Sequence, residues 1–257
     1  MVDRMGDAAG ATAPSLAEDV VFRAIRTGNV FEEAVERVLH AIKLGVVTVG
    51  ERLPAERDLA ARLGVSRVTV REALRVLEQA GYVESRRGRT GGTFVTYRPT
   101  PERQERSPGG DELADILRGR GTELEDALAL RAALDVGAAE IAAGRDLSAG
   151  ERRHLRGRLE DCEQAGSAGY RQMDSRLHLA IAEVTGAPSL AAAVADVRMR
   201  VNDLLDEIPL IGPNIEHSGH QHRAVVDAIL ARDPARARSA MQEHLDGTAA
   251  LLRAFLA

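Results

Sequence analysis

Apolar positions recur with helical period through most of this 257-residue chain. Between Asn29 and Gly45 the residues Val35, Val38, Leu39 and Ile42 fall on one face, predicting a helix that ends near Leu44. Asn29, with Glu32 three positions later, forms a capping-box pattern at its start. VVTVGERLP follows, irregular and broken by Gly50 and Pro54. A second helix is expected over 56–63, ended by Gly64 in the left-handed conformation open to glycine. A third begins at the N-cap Ser66 and runs to about Gly81, with Val70, Ala73, Leu74 and Leu77 as its buried seam.

The period then shortens. Tyr82–Ser85 and Thr93–Val95 read as two strands joined by the basic, glycine-rich tip RRGRTGG. Three helices and a two-stranded hairpin describe a winged helix-turn-helix over residues 29–96. Residues 1–28 begin Ala/Gly-rich and are expected to form a flexible extension, with a short helix at 16–26. Residues 97–110, with three prolines and many charges, read as a linker. From 111 to 257 every candidate element is a helix: 111–119, 122–144, 148–165, 168–185, 188–208, 219–232 and 234–255. The fold class is therefore mainly α: an N-terminal winged helix-turn-helix with a small hairpin wing, then an all-α antiparallel bundle of six or seven helices.

Charge sharpens this division. The chain carries a net charge of -5, yet residues 31–96 carry +2, leaving -7 for the remainder. A basic module joined to an acidic one fits a DNA-reading domain with a regulatory partner. Cys162 is the one cysteine, so no internal disulfide forms, and a cytoplasmic location with no membrane segment is expected.

Arg67, Arg71 and Arg75 recur every four residues, away from the apolar seam of the third helix. In a helix-turn-helix this helix enters the major groove. Arg67 and Arg71 suit guanine edges, and Ser66 and Thr69 suit phosphates. Arg57 is placed to grip the backbone, and the glycine-rich tip to approach the minor groove.

In the acidic half, Asp174 and His178 are one helical turn apart. His222 and His244 lie 11 residues on either side of Asp233, which Pro234 follows. If the chain reverses there, the two imidazoles come level and join Asp174 and His178 as one Asp-His-His-His set. His217 and His220 read as surface residues, with His220 an alternative to His222. Three imidazoles and a carboxylate suit a divalent transition metal: Zn²⁺ first, with Ni²⁺ and Mn²⁺ as alternatives.

LPAERDLAARLGVSRVTVREALRVLEQAGYVESRRGRTGGTFV (53–95) resembles the DNA-binding domain of GntR-type bacterial transcription regulators. The resemblance implies DNA contacts for Arg57, Ser66, Arg67, Thr69, Arg71 and Gly92. Ala55 stands where many members carry a capping serine. The segments EDALALRAALDVGAAEIAA, DSRLHLAIAEVTGAPSL and HRAVVDAILARDPARARSAMQEHL resemble the FCD domain of the FadR-like subgroup. That resemblance implies the antiparallel bundle and metal ligation by Asp174, His178, His222 and His244. It also implies a small carboxylate effector beside Arg131, with Asn202 a further pocket residue. Arg131 has an alternative partner in Asp135, one turn on, and Ala187 replaces the asparagine of the family's GNP segment.

Together these readings predict a homodimeric, ligand-responsive regulator, a repressor, on a pseudo-palindromic double-stranded operator. The rivals are a constitutive DNA-binding protein with a structural metal and a metal-dependent hydrolase. The second lacks an H-E-x-x-H-like general base.

Overall fold

The computed structural model describes residues 21–22, 30–88, 91–97, 110–206 and 212–254. Helices α1 (Val30–Lys43), α2 (Glu56–Leu63) and α3 (Arg67–Gln79) precede the strands β1 (Val83–Arg86) and β2 (Gly92–Val95). Six helices follow: α4 (Gly110–Gly144), α5 (Ala149–Gln164), α6 (Ser167–Glu183), α7 (Pro188–Leu205), α8 (Gly212–Leu230) and α9 (Pro234–Ala254). This is the expected mainly helical class, with a winged helix-turn-helix and a C-terminal helical domain. No described helix is long and apolar enough to cross a membrane.

The N-terminal head is built as its pattern implies. Val70, Ala73, Leu74 and Leu77 of α3 are buried with Val38 and Ile42 of α1 and Leu59 and Leu63 of α2. Gly64 caps α2 at φ 68°, in the left-handed region. Ser66 Oγ accepts the Thr69 amide at 3.0 Å, relieving an orphan donor at the start of α3. β1 and β2 pair antiparallel, from Val83 opposite Val95 to Arg86 opposite Gly92. The segment read as irregular lies along the other edge of β2. There Leu53 N–H donates to Thr93 O (2.8 Å), and Arg52 and Phe94 form a bridge. Pairing both edges leaves fewer exposed backbone groups than a two-stranded ribbon would.

Two expectations change. The helices expected at 111–119 and 122–144 are one continuous α4 of 35 residues. Gly119 and Gly121 do not divide it, because a glycine inside a helix costs about 1 kcal/mol but keeps its N–H, unlike proline. Helix α8 also begins seven residues earlier than expected, at Gly212. The predicted Asn29 cap and nearly all of the expected linker lie outside the described residues. Of 1–28, only Val21 and Phe22 are described, and both are buried, 2 % and 1 % exposed.

The head is seated on the helical domain through α1. Arg37 pairs with Asp196 (3.1 Å) and Lys43 with Asp203 (2.9 Å), both on α7. Gln172 Nε2 on α6 donates to Ile42 O at 3.1 Å. Gly45, at φ 70°, fits tightly here. A Cβ at that position would lie 3.1 Å from Gln172 Cβ and 3.3 Å from Arg176 Cδ.

Candidate functional site

The helical domain brings the four expected ligands together. Asp233 and Pro234 reverse the chain. Asp233 Oδ1 accepts the Arg236 amide at 3.0 Å, and Pro234 occupies the first position of α9, where its missing N–H costs nothing. His222 on α8 and His244 on α9 thereby come level, their Nε2 atoms 3.2 Å apart. Helix α6 supplies Asp174 and His178. His178 Nε2 is 3.3 Å from His244 Nε2, and Asp174 Oδ1 is 3.1 Å from His222 Nε2. All four side chains are buried, with their ligand atoms within 4.8 Å of one another. His217 and His220 are exposed, and His217 pairs with Gln221.

The donor set fits a cation. Each imidazole turns Nε2 inward and has a group outside that can take the Nδ1 proton. For His178 it is Asp135 Oδ2 at 3.1 Å, for His244 it is Gln221 Oε1 at 3.3 Å, and for His222 it is Cys162 Sγ at 3.8 Å. Such outer contacts select the tautomer whose Nε2 lone pair faces the site. Burial and Arg198 depress His178 to about 4, and burial with its two histidine neighbours holds His244 well below the ordinary imidazole range. Both rings are therefore neutral at pH 7. Burial alone would raise Asp174, but Arg198 and the His222 hydrogen bond outweigh it and keep the carboxylate ionised. A buried Asp/His cluster able to hold a metal ion is thus assembled from three helices.

Around it runs a chain of ionic contacts. Arg131 on α4 bonds Asp135 (3.3 Å), Asp135 touches His178, and Asp174 is bonded by Arg198 of α7. Arg131 therefore forms the alternative salt bridge with Asp135, while its Nη1 has no partner among the described residues. Asn202 is close by: its Nδ2 donates to Ser175 Oγ at 2.8 Å, which also receives Arg198 Nη2. The sequence does not mark Arg198 or Asp135 as site residues. Nothing in VRMRVNDLL separates Arg198 from Arg200, which pairs with Asp126 at the surface.

On the head, an open cleft between α2, α3 and the wing is lined by Arg52, Arg57, Arg67 and Arg86, with Ser85 and Gly92. Arg57 and Arg67 line this cleft, and Ser66 and Thr69 are the cap and first-turn residues on either side of Arg67. Arg57 pairs with its neighbour Asp58 (3.0 Å). Arg71 is engaged: two of its nitrogens bond Glu56 Oε2, at 2.9 and 3.2 Å. Gly92 lies in β2 opposite Arg86, not at the wing tip, and a Cβ there would meet Arg52 Nε at 2.6 Å. Val68, passed over in the sequence, is 61 % exposed between Arg67 and Thr69, where an apolar side chain suits a thymine methyl.

A winged helix-turn-helix with an arginine-lined cleft, joined to an all-α domain holding a buried Asp/His cluster, has the architecture of a DNA-binding regulator. The comparisons give its family. Residues 31–95 match the model of bacterial regulatory proteins of the gntR family, and residues 126–247 match the FCD domain. A proposed L-lactate dehydrogenase operon regulatory protein of Escherichia coli strain K12 is 33 % identical over 218 residues, covering 83 % of each chain. RmpR of Mycobacterium gastri, a proposed HTH-type transcriptional regulator, is 31 % identical over 245 residues, covering 90 % of this chain and 83 % of its own. The solved structure of E. coli McbR/YncC shares the fold at TM-score 0.52 and 18 % identity, over 89 % of this chain and 99 % of that one. The chain belongs to the GntR family, with an FCD domain. It is a DNA-binding transcription regulator, and its relatives are regulators, not enzymes.

Proposed function

We propose that this protein is a metal-loaded, carboxylate-responsive repressor that binds a pseudo-palindromic operator as a homodimer. Asp174, His178, His222 and His244 hold the ion, Zn²⁺ in the first instance. Arg131 and Asn202 receive a small carboxylate beside it. A bound divalent ion supplies a positive centre to which a carboxylate oxygen is drawn. The observation that carries this reading is the convergence of three inward Nε2 atoms and one carboxylate oxygen beside a buried guanidinium with an unfilled donor. The name of the E. coli lactate-operon relative agrees with a small carboxylate.

In this reading Arg67, Ser66 and Thr69 meet the major groove with Arg57 on the backbone. Arg71 exchanges Glu56 for DNA, and Gly92 lets the wing close against Arg52. The route between effector and DNA runs through α6 and α7. Helix α6 holds Asp174 and His178 on one side and bonds Ile42 O through Gln172 on another; α7 carries Arg198 and Asn202 as well as Asp196 and Asp203. An effector that favours one setting of these helices shifts the seating of α1. The test is metal content of untagged protein by elemental analysis, followed by promoter-DNA anisotropy with and without small carboxylates. About one metal per chain and release of DNA by a carboxylate are expected. Full metal loading with no effect of any carboxylate would favour a purely structural ion.

A further inference from the structure

The buried charges around the cluster balance before any ion is added. Arg131 and Arg198 are 2 % and 0 % exposed, Asp135 and Asp174 are 1 % and 9 %, and they form one continuous chain of contacts through His178. Two guanidiniums offset two carboxylates. Glu183, the other buried carboxylate among the described residues, is paired with His154 instead. Placing a divalent cation among the four ligands therefore leaves two positive charges without a buried counter-charge. An uncompensated buried charge is among the most costly arrangements a protein can hold.

The hydrogen-bonding groups left over match this imbalance. Arg131 Nη1 and Arg198 Nη1 and Nε are buried donors with no partner among the described residues. Asn202 Oδ1 is a buried acceptor with none, its amide oriented by the bond from Nδ2 to Ser175. Ser175 Oγ cannot serve the ligand, because it receives Asn202 and Arg198 and donates to Arg171 O. Asp174 faces both ways, Oδ1 toward His222 and Oδ2 toward Arg198, so metal and guanidinium can share it.

Resting on the metal-and-carboxylate reading above, we infer that the effector is a small dianion, a dicarboxylate carrying a hydroxyl, and that Arg198 is the residue that selects it over a monocarboxylate. Two negative charges complete the balance, two guanidiniums anchor them, and the hydroxyl donates to Asn202 Oδ1.

The experiment is calorimetry on the full-length, Zn²⁺-loaded protein with four probes: malate, succinate, lactate and acetate. Losing one charge-assisted contact costs roughly tenfold or more in affinity. Malate should therefore bind at least about tenfold more tightly than lactate, and more tightly than succinate. Arg198→Gln, read only on protein verified to hold one Zn²⁺ per chain because Arg198 also bonds the ligand Asp174, should reduce the malate-to-lactate ratio to within about twofold. A merely structural arginine would weaken all four probes together. Asn202→Leu tests the hydroxyl separately and should erase the preference for malate over succinate. Should Arg198→Gln not fold, the wild-type series still decides: equal binding of malate and lactate by metal-loaded protein overturns the inference and leaves the metal reading standing. Failure to load metal overturns both.

Discussion

Asp135 gives the most exacting test of the cluster. Its Oδ2 lies 3.1 Å from His178 Nδ1, and both side chains are 1 % exposed, so water cannot replace the contact. Outer partners of this kind orient a ligating imidazole and raise its basicity; removing one typically costs about 10–100-fold in metal affinity. Asparagine keeps an acceptor oxygen but loses the charge, so Asp135→Asn should sit near the lower end, about tenfold or 1.4 kcal/mol. Asp135→Ala removes the acceptor as well and should approach about a hundredfold, near 2.8 kcal/mol. Asp135→Ala also deprives buried Arg131 of its partner, which destabilises the metal-free domain by roughly 3 kcal/mol, and Asp135→Asn leaves that guanidinium with an acceptor but no counter-charge. Thermal unfolding must accompany the affinity measurement for this reason. Zn²⁺ affinity is read by competition with a chromophoric chelator at pH 7. A folded Asp135→Ala variant within twofold of wild type would refute the claim that Asp135 orients His178.

The remaining predictions are more direct. His222→Ala should lose the metal while His217→Ala retains it, and equal retention would sink the hairpin argument. Arg67→Ala should abolish specific operator binding, measured by anisotropy against a scrambled duplex; specific affinity within twofold of wild type would remove Arg67 from the groove. Ala55 caps α2 without a side-chain bond, so Ala55→Ser should stabilise the head by about 1 kcal/mol in urea unfolding. For His178 the folded pKa of about 4 lies below the ordinary 6.5, so the unfolded chain binds the extra proton between those values. Metal-free protein should therefore lose stability as pH falls through 6.5, His178 alone contributing about 2 kcal/mol between pH 7 and pH 5 and the likewise depressed His244 adding a loss of the same sign. A flat profile from chelator-treated protein would mean that neither His178 nor His244 is held neutral.

What the chain determined by itself is local and periodic. The seam of Val70, Ala73, Leu74 and Leu77, the Ser66 cap and the left-handed Gly64 define the reading helix from neighbouring residues alone, because helical period and capping act over a few positions. The 11-residue spacing of His222 and His244 about Asp233-Pro234 is similarly legible, since an antiparallel reversal brings equidistant residues level. Packing between distant helices decided the rest. Arg198 and Arg200 are two positions apart on α7 and alike in sequence, yet one is buried against Asp174 and the other pairs with Asp126 at the surface. Asp135 and His178 meet across 43 positions. Arg71 is taken up by Glu56 of the preceding helix, and α4 runs on through glycines that read as a break. Helical period says which residues share a face. Which faces meet depends on burying all the apolar seams at once, and only the folded bundle expresses that solution.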